Sequence, residues 1–275
     1  MAQDRSQFPA AQPELSSPKS IRKSDRAWTF VLVAASTTLA IVFLVFTPPG
    51  FWNKLMAVGS AVCHQDPAHS FFVYGRQMPL CARCTGMYLG ALLSLAFHFR
   101  QGKLGSLPPR KMLIPLGLLF LAFALDGLNS LAASLGLGWH LYETTNLTRL
   151  ITGTGAGLVV GAVLAPIFNQ TAWASWVKAS ALPNGKKLAV LLAAAAVIIL
   201  VVYAGPQALR YPAAILSVLG VLAVLCLAYT TLALIILRRE NQATSWGDVR
   251  LPLLVGLLAG SLQVAVFTFL RVWAF

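Results

Sequence analysis

The chain has 275 residues, of which 57% are hydrophobic and only 11% charged. A soluble domain carries roughly 25% charged residues, so an ordinary globular domain in water is excluded. The net charge of +13 does not indicate nucleic acid, because no basic helix or aromatic–basic interleaving accompanies it. In a membrane protein such an excess of Lys and Arg marks cytoplasmic loops.

Residues 1–27 are polar and rich in Pro, Ser and Gln, with Lys19, Arg22, Lys23 and Arg26 near their end. They predict a disordered cytoplasmic tail lying against the inner leaflet. The apolar run Trp28 to Phe46 reads as the first membrane helix. A cleaved signal peptide is the rival, but Thr47-Pro48-Pro49-Gly50 offers no small-x-small cleavage site. Phe51 to Val62 predicts a short interfacial or re-entrant helix with Trp52 as its anchor. A polar loop follows over residues 63–80. Further membrane helices are expected over about Cys84–Phe99, Met112–Leu135, Thr148–Phe168, Leu188–Ala204, Ala213–Leu237 and Leu251–Trp273. The expected fold is an all-α integral membrane protein of about seven transmembrane helices, with residues 28–275 as one helical domain and no internal repeat. Its partner is the lipid bilayer, and a multi-pass position in the plasma (inner) membrane is expected.

The Lys and Arg count sets the orientation. With the N-terminus inside, fifteen fall on inner segments and six (Lys54, Arg76, Arg83, Arg149, Arg210 and Arg271) on outer ones. The positive-inside rule then places the 63–86 loop at the outer face.

That loop holds three of the four cysteines, Cys63, Cys81 and Cys84, and two of the four histidines, His64 and His69. Thiolate and imidazole are the ligands zinc prefers. The two-residue gap between Cys81 and Cys84 lets both sulfurs reach one ion, with Cys63 or His64 supplied from upstream. The adjacency of Cys63 and His64 makes joint binding harder. Zinc, or another transition metal, is the expected cofactor. Three protein ligands and one open position would make the site catalytic, with Asp126 or Glu143 as base. A redox reading stays open. Cys84 near a helix N-terminus beside Arg83 suits a reactive thiol, with Cys81–Cys84 exchanging and Cys63 resolving. A structural disulfide is the plainer version. Cys226, in mid-helix, reads as a small core residue. His98 and His140, near helix ends, carry no assigned role.

Helix rise converts sequence into depth. Cys84 lies about 24 Å from Arg100, Asp126 about 22 Å from Lys111, Thr152 about 26 Å from Asn169 and Gln263 about 20 Å from Arg250. All four fall at a similar level below the outer surface. Asp126 is ionisable inside a membrane helix and so faces the bundle or a wet cavity; Asn129 and Ser130 share its face. An Asp126–Arg149 ion pair that only orients two helices is the alternative to a role at the site. Arg83, Asn146 and Arg149 could hold an anionic lipid or a phosphorylated substrate, although each arginine singly could simply snorkel. Gly153, Gly157 and Gly161, four apart, predict close helix packing.

The motifs Cys63-His64-Gln65, Ser70-Phe71-Phe72 and Pro79-Leu80-Cys81-Ala82-Arg83-Cys84-Thr85-Gly86-Met87-Tyr88-Leu89-Gly90 resemble those of a family of prokaryotic multi-pass membrane proteins known as a domain of unknown function. Asp126-Gly127 and the Glu143–Gly153 run resemble it too. The resemblance covers residues 55–165 and implies which residues matter, with no activity attached. Metal-dependent chemistry on a lipid or small membrane substrate leads the expectations. Thiol–disulfide exchange and metal-ion transport are the alternatives.

Overall fold

Backbone amides in lipid must be satisfied within their own segment, and the apolar runs answer with helices. The computed structural model describes residues 23–136 and 141–274. It contains α1 (Lys23–Phe46), α2 (Phe51–Ser60), α3 (Ala82–Phe99), α4 (Arg110–Ser134), α5 (Asn146–Ala172), α6 (Gly185–Ala204), α7 (Gln207–Ile236) and α8 (Trp246–Ala274). The tail expected over residues 1–27 falls, up to residue 22, outside the described residues, as does His140. Where the sequence predicts only a polar loop, a 3₁₀ turn (Pro67–His69) and a two-stranded antiparallel hairpin, β1 (Phe72–Val73) and β2 (Arg76–Gln77), stand between α2 and α3. Tyr74 and Gly75 make its turn with φ of 49° and 74°, the left-handed pair that a two-residue hairpin requires.

Among the described residues, six helices, α1 and α4 to α8, are long and apolar enough to cross a membrane. Large apolar side chains such as Phe30, Ile114, Leu118, Val190 and Leu257 stand exposed along them, an arrangement stable only in lipid. The protein is an all-helical integral membrane protein. The other expected span, α3, is 18 residues long and carries Arg83, Ser94 and His98. It tolerates these polar residues because α5, α6 and α7 pack around it.

The core is the parallel pair α3 and α5. A Cβ added at Gly153 would meet the Arg83 carbonyl oxygen at 2.1 Å, at Gly157 that of Met87 at 2.0 Å, and at Gly161 the Ser94 Cβ at 2.5 Å. Gly86 and Gly90 on α3 meet the Leu150 and Thr154 carbonyls at 2.4 Å in return. The backbones therefore touch as the glycine spacing predicts, since packing rather than hydrophobicity holds helices together in lipid. Outside this pair, α4 packs on α5, α7 on α3, α8 on α7 and α1 on α8. Asp25 fixes the start of α1 to Arg239 at 2.8 and 3.2 Å.

Candidate metal centre

Cys63 follows α2, Cys81 caps the N-terminus of α3, and Cys84 lies in the first turn of α3. Bringing residue 63 to residue 81 is the work of a few contacts. Gly59 has no Cβ, so the Pro79 carbonyl comes within 2.1 Å of where one would stand. Gln65 adopts a φ of 59°, and its Nε2 donates to the Met56 and Pro79 carbonyls at 2.8 Å each. Gln77 donates in turn to the Gln65 carbonyl at 2.7 Å. From the far end of the chain, Arg271 donates to the carbonyls of Ser60, Cys63 and His64. The sequence alone reads Gln65 as an ordinary loop residue and Arg271 as one more outer charge. Gln65 could have been suspected from its place in Cys-His-Gln; nothing in the sequence marks Arg271.

The result is that the three Sγ atoms lie within 4.8 Å of one another. Sulfurs on one tetrahedral zinc, each about 2.3 Å from the ion, stand about 3.8 Å apart, so a slight closing admits it. All four cysteines are free. Cys63 is buried, and its Sγ accepts backbone N–H bonds from Cys81 at 3.2 Å and Gln65 at 3.4 Å. Such donors favour a sulfur carrying negative charge. The Cys81 thiol is held well below the usual range by the neighbouring Cys63 and Cys84 thiols. The Cys63 thiol is pushed up, chiefly by its neighbour Cys81, with burial adding to the effect.

His64 does not join the group; it is exposed. His69 pairs instead with Asp66 at 3.2 Å. Glu143 is exposed and makes no hydrogen bond among the described residues. Cys226 lies elsewhere on α7, its sulfur 4.0 Å from Thr230 Oγ1.

Beside the thiols, α3, α4 and α5 share a polar cluster. Asp126 is fully buried. Its Oδ2 accepts from Arg83 Nη2 at 2.5 Å and from Thr152 Oγ1 at 3.2 Å, and its Oδ1 accepts from the Tyr142 hydroxyl at 2.9 Å. The ion pair is therefore Arg83–Asp126, in place of the Asp126–Arg149 pair considered from sequence. Arg83 lies at the α3–α5 contact point with Gly153, and its side chain reaches Asp126 on α4 past α5, which packs on both helices. Asn129 holds the loop before α5, donating to the Tyr142 carbonyl at 2.7 Å and accepting from Leu141 N at 2.6 Å. Arg149 is buried among Thr144, Ser130 and Asn146, and Asn146 reaches the Ser70 carbonyl at 3.5 Å. Asp126 and Thr152 meet as their common depth suggests. Gln263 does not join them; it accepts from Tyr229 at 2.7 Å on the α7–α8 side.

Residues 63–163 match the family described as "Predicted membrane protein (DUF2085)". An uncharacterized protein of Methanocaldococcus jannaschii is 37% identical over 123 residues, covering 43% of this chain and 73% of the relative. An uncharacterized protein of Methanothermobacter thermautotrophicus is 33% identical over 101 residues, covering 35% of this chain and 78% of the relative. No solved structure matches. The family match takes in the three cysteines, Asp126 and Arg149; Arg271 lies outside it.

Proposed function

This chain belongs to that family of membrane proteins, and on this premise we propose that its working part is a metal centre held by Cys63, Cys81 and Cys84, with zinc as the ion. The observation that carries the reading is the convergence of three sulfurs from two separate segments, with backbone N–H groups aimed at Cys63. Among the described residues no fourth His, Cys, Asp or Glu joins the group, so one coordination position is left for an exogenous ligand, the pattern of a catalytic rather than a closed structural site. An ion there supplies Lewis acidity toward a bound oxygen. The chain's own residues hold the surroundings. Asp126, with both oxygens taken, positions Arg83 rather than serving as a base or ligand. Thr152 and Tyr142 fix the carboxylate. With the N-terminus inside, the centre faces the outer side of the plasma (inner) membrane, where a lipid or small membrane-soluble substrate reaches it.

Thiol–disulfide exchange is the second reading, favoured by the free, mutually adjacent thiols at the N-terminus of α3. Metal transport is the weaker one. A relay needs ligands at several depths, and among the described residues this is the one such group.

Elemental analysis of the purified full-length protein, paired with free-thiol titration, separates these readings. About one zinc per chain in the wild type and in His64→Ala, lost in Cys81→Ser/Cys84→Ser, is the expected result. No metal, with two cysteines oxidised and released by reductant, overturns the metal centre in favour of exchange.

A further inference from the structure

We propose that Arg149 anchors an oxyanion site beside the three thiols, and that the group it takes is a phosphate, borne by a lipid headgroup or free. The proposal deepens the metal-centre reading by naming the chemical class of its ligand, and it rests on that reading only for what the bound group meets next.

Arg149 is 7% exposed. Snorkelling carries the guanidinium into water, and a side chain this enclosed reaches little of it. Its partners are all neutral: Thr144 Oγ1 at 3.0 Å, Ser130 Oγ at 3.2 Å and Asn146 Oδ1 at 3.5 Å. Among the described residues no carboxylate lies within 4.0 Å of it. The one buried carboxylate of the cluster, Asp126, is already shared by Arg83, Tyr142 and Thr152. A buried guanidinium without a carboxylate in direct contact is unfavourable.

A second observation concerns Arg83. The Nε of Arg83 is buried and has no hydrogen-bond partner among the described residues. Arg83 and Arg149 stand in the first turns of two parallel helices whose backbones touch at Gly153 and Gly86. The cluster thus holds two guanidiniums, one carboxylate and a leftover donor. Around Arg149 the hydroxyls of Ser130 and Thr144 are free to rotate and donate. A planar fork of N–H groups with hydroxyls beside it suits the several oxygens of a phosphate, whereas a cation would be repelled.

The test titrates inorganic phosphate and short-chain phosphatidic acid by calorimetry into the full-length protein in phosphate-free maltoside detergent. It is run on the wild type, Arg149→Gln and Arg149→Lys, each with and without cobalt(II). Saturable binding is expected in the wild type, weakened at least about tenfold in Arg149→Gln and partly restored in Arg149→Lys. The cobalt–thiolate charge-transfer band should be the same in all three. Preference for phosphatidic acid identifies the lipid source, and preference for inorganic phosphate the soluble one; either supports the site. Binding of neither probe, or equal binding by Arg149→Gln, overturns it. Should Arg149→Gln fail to fold, Ser130→Ala/Thr144→Ala must weaken phosphate binding, and unchanged binding there overturns the site. Arg149-dependent phosphate binding without any cobalt band would sink the metal centre and leave the oxyanion site standing.

Discussion

Arg83 on α3 reaches Asp126 on α4 at 2.5 Å, with the carboxylate fully buried and the arginine about one-fifth exposed. Breaking a buried pair from one side leaves an uncompensated charge, at a cost of about 3–5 kcal/mol; the partial exposure of Arg83 places the expected loss near the lower end. Asp126→Asn and Arg83→Met should each lower the unfolding midpoint in detergent. The double variant Arg83→Met/Asp126→Leu should lose less than the two singles together. Strict additivity, within about 0.5 kcal/mol, would show that the pair does not couple.

The α3–α5 contact predicts a contrast between two glycines. A Cβ at Gly157 falls 2.0 Å from the Met87 carbonyl oxygen and 2.6 Å from Ala91 N, whereas at Gly117 nothing lies within 4 Å. Gly157→Ala must push two backbones apart and should cost about 1–3 kcal/mol. Gly117→Ala, in an exposed helix interior, should be neutral or stabilise by up to about 1 kcal/mol. Thermal unfolding of the two variants side by side checks both signs.

Arg271 is assigned a positioning role at the metal centre, through the carbonyls of Ser60, Cys63 and His64. Arg271→Gln should leave the helices folded but loosen the Cys63 segment, weakening metal affinity by about 10–100-fold, as for other outer-shell losses. Competition against a chromogenic chelator measures this. Unchanged affinity with lowered stability would mean that Arg271 only ties α8 to the bundle.

Metal affinity should rise with pH. A thiol must lose its proton to bind an ion. Cys81 is held well below the usual thiol range by the neighbouring Cys63 and Cys84 thiols. Cys63 is raised, chiefly by its neighbour Cys81, and keeps its proton at neutral pH. Loading therefore releases at least the Cys63 proton. Affinity should climb by about tenfold per pH unit for each proton released. Proton release in a weakly buffered titration measures it directly. Affinity independent of pH between neutral and mildly alkaline conditions would contradict the protonated state of Cys63.

Several features follow from the sequence alone because they depend on properties along one chain segment. Lipid demands internally bonded helices, so apolar run length sets where α1 and α3 to α8 lie, although α1, α7 and α8 begin at Lys23, Gln207 and Trp246, upstream of the apolar starts expected at Trp28, Ala213 and Leu251. Four-residue glycine spacing puts Gly153, Gly157 and Gly161 on one face, which suffices to announce a close partner. Helix rise places Asp126 and Thr152 at one depth, and they meet. Lateral neighbours were decided only by the tertiary structure, because depth along an axis says nothing about rotation around it or about which helix stands alongside. The touching backbones of α3 and α5 put Arg83, not Arg149, against Asp126. The same bundle sends Gln263 to Tyr229 on the other side. Which of the adjacent Cys63 and His64 faces the other thiols was likewise decided by the left-handed turn at Gln65 and the reach of Arg271 across most of the chain, contacts between residues whose separation leaves no pattern to read.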